Sequence, residues 1–229
     1  MANTIHQQLK EHYVPDVTQH EVVFDNYRID AVSSDGRLIE VQCASLMAIR
    51  DKIRALTETQ RVTVVKPLAF RKRLLTKERR NGKVVRSRYS PTRQTLPWIF
   101  QELVHFTQAF PHPNLQLDIV LTEQEETRVP PRSRTRRRRF SVQDRRLTEI
   151  VQTFSVCTEK ELWDFLNVAV PDVFTTRDLA THGRMPRWLA QKAAYCFRQM
   201  NWFEVCGKQG NNIEYRLRPT GRRSRRKAA

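Results

Sequence analysis

The sequence predicts two domains: an N-terminal α/β domain built on a mixed sheet, and a smaller C-terminal domain of helices followed by a β-hairpin. Three observations lead to this fold class. Residues 5–65 alternate between helical and strand periodicity. Prolines and arginines interrupt the regular pattern at 129–139, and beyond residue 140 helical patterns precede two short strands around a Gly/Asn-rich loop. The length of 229 residues suits two small domains.

The N-terminal domain, residues 1–129, has a clear order of elements. In sequence these are a helix over 5–13, strands over 21–24, 27–33 and 37–42, a helix over 45–58 and a strand over 62–65. Because strand, helix, strand forms a crossover unit, we expect the last strand to lie parallel to the third. A later helix over 98–106 and a strand over 115–121 are expected to close the core of this domain.

The hairpin formed by the second and third strands sets the position of two acids. With Ser34, Asp35 and Gly36 as a three-residue loop, Gly36 takes the left-handed position that such loops favour. Counting back from the loop pairs Asp30 with Glu40. Gln42 then lies on the same face as Glu40, whereas Ile39 and Val41 face the other side.

Two carboxylates directly across a strand pair repel each other and destabilise the hairpin. A hard divalent cation between them reverses this effect, and Mg²⁺ prefers oxygen ligands. The alternative is an ordinary solvated sheet face, on which acids are common. The order of the surrounding elements favours the metal-binding interpretation.

The order helix, three strands, helix, strand, with Asp30 and then Glu40-Val41-Gln42 in the next strand, resembles the PD-(D/E)XK superfamily of restriction-endonuclease-like nucleases. The segment Leu38–Gln42 and the helix after it are also similar to a family of uncharacterised bacterial proteins with this fold. The resemblance covers roughly residues 3–68. It implies an α-β-β-β-α-β core and hydrolysis of phosphodiester bonds in DNA.

The resemblance also implies roles for individual residues. Asp30 and Glu40 would bind Mg²⁺ or Mn²⁺, and Gln42 occupies the position at which most members place a lysine that helps to activate water. Glu11 and Glu21 are the candidates for a further acid. The chain departs from the common pattern in two ways, since Ile29 precedes Asp30 in place of proline and Gln42 cannot supply a positive charge. Lys52 and Lys66 are the lysines that could substitute.

The net charge of +17 is concentrated in three stretches. Residues 71–93 hold ten Lys or Arg and one Glu, residues 132–139 hold six arginines, and residues 222–227 hold five cations. Phosphate backbones bind such blocks through counterion release. Solvated basic segments that bind polyanions without selectivity are the alternative. Residues 70–90, around Asn81-Gly82, are predicted to form a basic β-ribbon that lies along DNA, or else a solvated excursion.

The C-terminal half is predicted to comprise an Arg-rich linker over 130–140, a domain over 141–218 and a basic disordered tail over 219–229. Helices are expected from Ser141, with Leu147, Ile150, Val151 and Phe154 on one face, and from Thr158. A capping box at Thr175 and Asp178 opens a short helix. A turn at 182–185 then leads into a longer helix that ends near Met200.

Short helix, turn, longer helix and hairpin together resemble the winged-helix family over residues 142–218. The resemblance implies that the longer helix enters the major groove of duplex DNA and that the wing reaches the backbone or minor groove. The predicted DNA-contacting residues are Arg187, Gln191, Lys192, Arg198, Lys208, Gln209 and Asn211. Winged helices also act as protein-docking modules, which is the alternative for this domain.

We therefore predict a metal-dependent DNA endonuclease that binds duplex DNA, without a small-molecule cofactor or membrane partner. Two alternatives remain: a nuclease-fold DNA-binding or regulatory protein without catalysis, and an RNA-binding protein. The four cysteines form no C-x-x-C motif, which argues against a disulfide framework or a structural zinc site. The N-terminus lacks the apolar run of a signal peptide, so we expect a cytosolic location.

Overall fold

The computed structural model describes residues 4–131 and 139–218. The chain divides into two compact units, with the boundary between Thr158 and Glu159. Most of the predicted arginine linker and the predicted basic tail lie outside the described residues. Within the described ranges, no helix is both long enough and apolar enough to cross a membrane.

The first unit contains three helices and seven strands within its described residues. In order these are α1 (Thr4–Tyr13), β1 (His20–Phe24), β2 (Tyr27–Val32), β3 (Leu38–Val41), α2 (Arg50–Thr57), β4 (Val62–Lys77), β5 (Val84–Tyr89), α3 (Phe100–Leu103), β6 (Leu115–Val129) and β7 (Ser141–Val156). Short 3₁₀ turns at Val17–Gln19, Leu46–Ile49 and Leu96–Ile99 precede β1, α2 and α3.

All seven strands form one mixed sheet in the order β1-β2-β3-β4-β6-β7, with β5 paired to the outer part of β4. β1, β2 and β3 form the predicted antiparallel meander. β4 lies parallel to both β3 and β6, which confirms the predicted crossover. The chain is thus a mixed α/β protein with a large mixed sheet.

One face of the sheet packs on α1. Ile5 and Leu9 of α1, both buried as their spacing predicts, contact a cluster that includes Ala31, Ile39 and Val41 from the sheet. Because side chains alternate along a strand, residues between these positions point to the opposite face. Glu40, between Ile39 and Val41 on β3, is one of these residues and belongs to the candidate site described below.

β4 and β6 extend far beyond the lengths that the sequence pattern predicts. Their parallel register runs from Val62 opposite Leu115 to Thr76 opposite Arg128. The predicted basic ribbon is the antiparallel pair β4–β5, joined by residues 78–83 and not by a two-residue turn. The sheet therefore carries a four-stranded extension, β5-β4-β6-β7, whose cations are concentrated on the outer half of β4 and on β5.

The helix predicted from Ser141 is wrong, because this segment is the strand β7, which pairs with β6 along its whole length. Leu147 pairs with Gln124 and Ile150 with Thr122, so three residues of β7 span two of β6 at a bulge. The bulge brings Leu147 and Ile150 onto one core-facing side. Their three-residue spacing imitates helical periodicity.

This correction moves the domain boundary. Val129 and Ser141 are paired neighbours in one sheet, so the predicted linker over 130–140 joins two strands of the first unit and not two domains. The second unit begins at Glu159 and lacks the first of the helices predicted for it. The physical reason is tertiary, since pairing with β6 and packing on the α1 cluster override the local helical pattern.

The second unit contains α4 (Glu159–Leu166), α5 (Thr176–His182), α6 (Arg187–Gln199) and a hairpin of β8 (Phe203–Gln209) and β9 (Asn212–Leu217). The predicted capping box is present, with Thr175 and Asp178 bonded reciprocally. The predicted stripe Leu189, Ala193, Cys196 and Met200 is buried. The wing turn is tighter than predicted, because Lys208 and Gln209 belong to β8 and only Gly210 and Asn211 form the turn.

Candidate functional site

Three acids lie in one row across the first three strands. The pair Ala31–Ile39 is the last of the ladder between β2 and β3, and continuing its register by one residue places Asp30 across from Glu40. On the other side, the pairs of His20 with Ala31 and of Val22 with Ile29 flank Glu21 and Asp30. Glu21, Asp30 and Glu40 therefore follow one another from β1 to β3.

Glu21 takes a backbone conformation that is unusual for its residue type, with φ at 54°. Its carboxylate pairs with Lys10 of α1 and, at 2.7 Å, with Nε of Arg28. Lys10 is only 2% exposed, and its ammonium also acts electrostatically on Asp30. Non-glycine residues at positive φ are costly and cluster at functional sites. Lys10 therefore interacts both with Glu21, a candidate acid of the sequence analysis, and with Asp30.

Asp30 bridges two elements. Its Oδ2 accepts a hydrogen bond from the backbone N–H of Val41 at 2.8 Å and lies 3.1 Å from Nε2 of His6 on α1. Burial acts to raise the pKa of Asp30, but these two hydrogen bonds and the charges of His6 and Lys10 outweigh it. The pKa of Asp30 therefore lies below its usual value, and the carboxylate stays ionised.

Glu40 is 8% exposed, and its pKa is shifted in the direction opposite to that of Asp30. Burial and then the charge of Asp30 raise its pKa above the usual value, although Lys52 opposes both effects. The ammonium of Lys52, on α2, donates to Oε2 of Glu40 at 2.7 Å and to the carbonyl oxygen of Arg28 at 2.6 Å. Since Ile39 and Val41 face α1, α2 approaches β3 from the other side.

The remaining predicted residues occupy different positions. Gln42 accepts a hydrogen bond from the N–H of Ala44 at 3.3 Å through its side-chain oxygen. Lys66 is buried against Glu102 and the carbonyl of Ala44, so of the two substitute lysines Lys52 is the one bonded to the acidic row. Glu11 is exposed and bonds Gln7, which places it in a local helix contact and not in the row.

The donor set of the row fits a hard divalent cation that completes its shell from elsewhere. Mg²⁺ is commonly held by one or two carboxylates together with waters and substrate phosphates. The repulsion between Asp30 and Glu40, visible in the raised pKa of Glu40, is the feature that such a cation would relieve. In the described ranges, no three His, Cys, Asp or Glu side chains are grouped so that they could hold a metal ion, so the protein would supply at most two of these ligands.

In the second unit, the residues predicted to contact DNA lie on α6 and on the β8–β9 hairpin. Side chains of this set are exposed except Lys192, which is half-buried. Arg187 links the helix to the hairpin, since its Nη2 donates to Oδ1 of Asn212 at 3.0 Å. The sequence reasoning missed Trp188 and Tyr195, which are 41% and 45% exposed.

The sequence reasoning also missed His6 and Lys10 as neighbours of the acidic row. A usable signal was present, because the two residues are four apart and each directly follows a buried apolar residue, Ile5 or Leu9, on α1. Trp188 and Tyr195 are seven apart, as are residues on one helical face.

Comparison with other proteins gives a family but no activity. A protein of Treponema pallidum (strain Nichols), described as an uncharacterized protein, is 27% identical over 220 residues, which cover 95% of this chain and 86% of that protein. No solved structure matches the chain. Residues 3–157 match the family described as "Domain of unknown function (DUF8091)", and this match ends where the first compact unit ends. Because the match spans more than half of the chain, the protein belongs to the DUF8091 family.

Proposed function

We propose that the protein is a metal-dependent DNA endonuclease of the PD-(D/E)XK type, in which the acidic row cleaves and a C-terminal winged helix contributes to DNA binding. The observation that carries the proposal is the row itself. Asp30 lies opposite Glu40 on adjacent strands, and a lysine ammonium contacts Glu40 at 2.7 Å. The order α1-β1-β2-β3-α2-β4 around it agrees with the core that the resemblance implies.

Asp30 and Glu40 would hold Mg²⁺ or Mn²⁺, which when bound polarises the scissile phosphate and lowers the pKa of water. Lys52 supplies the positive charge that Gln42 lacks. Its ammonium reaches the row from α2, whereas the common pattern places a lysine two residues after the acid on β3. His6 and the N–H of Val41 keep the Asp30 carboxylate ionised and oriented.

The charge distribution supports DNA as the substrate. Among the described residues of β5, Arg86 and Arg88 are exposed, and they share one face of the sheet extension with Arg145. The second unit adds α5, α6 and the β8–β9 hairpin in the order of a helix-turn-helix with a wing. On this proposal, α6 enters the major groove and presents Arg187, Gln191 and Arg198.

A second candidate function has a specific observation in its favour. Glu21 and Glu40 already have cationic partners, Asp30 is bonded to His6 and to the N–H of Val41, and the oxygen of Gln42 bonds Ala44. A protein that binds DNA through the same surfaces without cleaving it is consistent with such a self-neutralised row. The two candidates differ in one measurable property, which is divalent-dependent cleavage.

The deciding experiment is a cleavage assay on supercoiled plasmid, linear duplex and branched DNA, with Mg²⁺, Mn²⁺ or EDTA. We expect the wild-type protein to cleave at least one form with a divalent cation, and Asp30→Ala and Glu40→Ala to abolish cleavage with DNA affinity nearly unchanged. Asp35→Ala is the matched control, because it removes an exposed acid from the loop of the same hairpin. Gln42→Lys should retain or raise activity.

If no DNA form is cleaved with either metal while DNA still binds, the nuclease proposal is wrong and the binding protein is the correct candidate. Cleavage that survives in both Asp30→Ala and Glu40→Ala would assign the activity to a contaminant or to another site. A parallel set of RNA substrates separates the RNA-binding alternative, because a protein that prefers RNA would bind the RNA set more tightly at equal salt.

A further inference from the structure

A cavity of about 200 Å³ opens beside the middle of β4, just beyond the end of β3. Its polar lining contains three cations, one carboxylate and three amides: Lys66, Lys72, Arg145, Glu102, Gln94, Gln101 and Gln124. All of these residues belong to the first unit. The lining also includes Cys43, which is three residues beyond Glu40 in the sequence.

A buried acid holds two of the lining cations in place. Glu126 is 2% exposed and accepts contacts from Lys72 at 3.3 Å, Arg145 at 3.0 Å and Arg128 at 2.7 Å. One carboxylate neutralises one of these three charges. The cluster therefore keeps a positive excess on the face of the sheet that borders the cavity.

The other side of the cavity adds a buried lysine and amide donors. Lys66 is 4% exposed, and its ammonium lies 3.5 Å from Glu102. Gln94 uses its side-chain oxygen to accept from the N–H of Ala69, which leaves its amide N–H groups as donors. Gln101 is exposed at the lining. Three cations and one carboxylate, Glu102, thus line this open cavity together with amide groups.

We propose that this cavity binds a phosphate group of the nucleic acid that the acidic row cleaves. Ammonium, guanidinium and amide donors converging on a recess are the chemistry that recognises a phosphate. The proposal rests on the proposed function for the source of the phosphate, which is either a strand end or an internal phosphodiester.

The first test measures binding of inorganic pyrophosphate to the full chain by isothermal titration calorimetry, in EDTA, where no cleavage takes place. We expect saturable binding that Gln101→Glu weakens by about tenfold or more, because an added carboxylate repels the anion. Gln101→Glu removes no described hydrogen bond and so leaves the fold intact. Arg145→Gln should weaken binding similarly.

Two matched controls separate this site from general charge effects. Gln152→Glu makes the same substitution on an exposed residue of β7 away from the lining, and Arg146→Gln removes the exposed arginine next to Arg145, on the other face of the strand. Both should bind pyrophosphate as the wild type does. Absence of saturable binding, or equal losses in the controls, would overturn the proposal.

The second test identifies the source with duplex oligonucleotides that carry a 5′-phosphate or a 5′-hydroxyl, again in EDTA. Tighter binding of the phosphorylated duplex that disappears in Gln101→Glu assigns a strand end. Equal loss for both duplexes assigns an internal phosphate. Because these measurements need no cleavage, the cavity can fail while the nuclease activity is present, and the activity can be absent while the cavity binds phosphate.

Discussion

Replacing Lys52 with methionine tests whether the ion pair with Glu40 stabilises the acidic row. Methionine keeps the length and helix propensity of the side chain but removes the charge. Two unit charges 2.7 Å apart interact with about 6 kcal/mol at an effective dielectric constant of about 20. Desolvation of two largely buried side chains offsets most of this energy. We therefore expect a net loss of about 2 kcal/mol in the free energy of unfolding near neutral pH.

The sign of the pH dependence follows from the pKa of Glu40. Burial and Asp30 already raise this pKa, and Lys52 is the group that lowers it, so the variant raises it further. When folding raises the pKa of a carboxyl group, the free energy of unfolding of the protein falls as the pH rises above the pKa of that group in the unfolded chain, which is about 4.3 for Glu. The loss caused by Lys52→Met should thus be smallest near pH 4 and grow toward pH 8. A constant part remains from the lost hydrogen bond to the Arg28 carbonyl.

Urea denaturation at pH 4, 6 and 8 in EDTA, followed by circular dichroism, measures this difference. Arg50→Met is the control, since Arg50 lies on the same helix and pairs with the exposed Asp51, and it should change stability little at any pH. A loss for Lys52→Met that is equal at pH 4 and pH 8 would refute the reasoning, because the ion pair with Glu40 would then contribute nothing.

Three further predictions concern ligands. Affinity for Mg²⁺, measured by calorimetry, should rise between about pH 4 and pH 7 because Glu40 must lose its proton to bind a cation, and Glu40→Gln should remove this rise. Deleting residues 132–139 or 221–229 should flatten the salt dependence of DNA affinity, whose log–log slope is about −0.9 per phosphate contact, without altering sequence preference. Arg187→Ala and Gln191→Ala should instead erode sequence preference by about 1–3 kcal/mol per lost base contact in competition binding, and an effect on the salt slope alone would contradict a reading role for α6.

The register of the acidic pair could be predicted because a local turn fixes it. Gly36 adopts φ of 77°, the left-handed conformation expected for the three-residue loop, and Ser33 bonds Arg37 across it. Once the loop is set, the period of two along each strand determines which side chains are neighbours. The pairing of Asp30 with Glu40 therefore needed no tertiary information.

The cations around the row could not be predicted in the same way, because they arrive from helices on both faces of the sheet. Lys52 reaches Glu40 only because the crossover places α2 over β3 at one particular rotation. His6 reaches Asp30 from α1 on the other face. The strand β7 was missed for a related reason, since its bulges depend on β6. Contacts between distant segments decide all three, and a local pattern carries little information about them.

Two buried acids of the same sheet show how the fold separates charge. Burial acts to raise the pKa of Glu126, but Arg128, Lys72 and Arg145 outweigh it and hold the pKa below its usual value. Glu40 has Lys52 as its cationic partner and a pKa above the usual value. The charge of Asp30 thus still acts against ionisation of Glu40 within the row, whereas three cations and one carboxylate line the cavity. A phosphate group that carries a divalent cation would match both features, because the cation would relieve the repulsion between Asp30 and Glu40 while the anionic oxygens would contact the cations of the cavity.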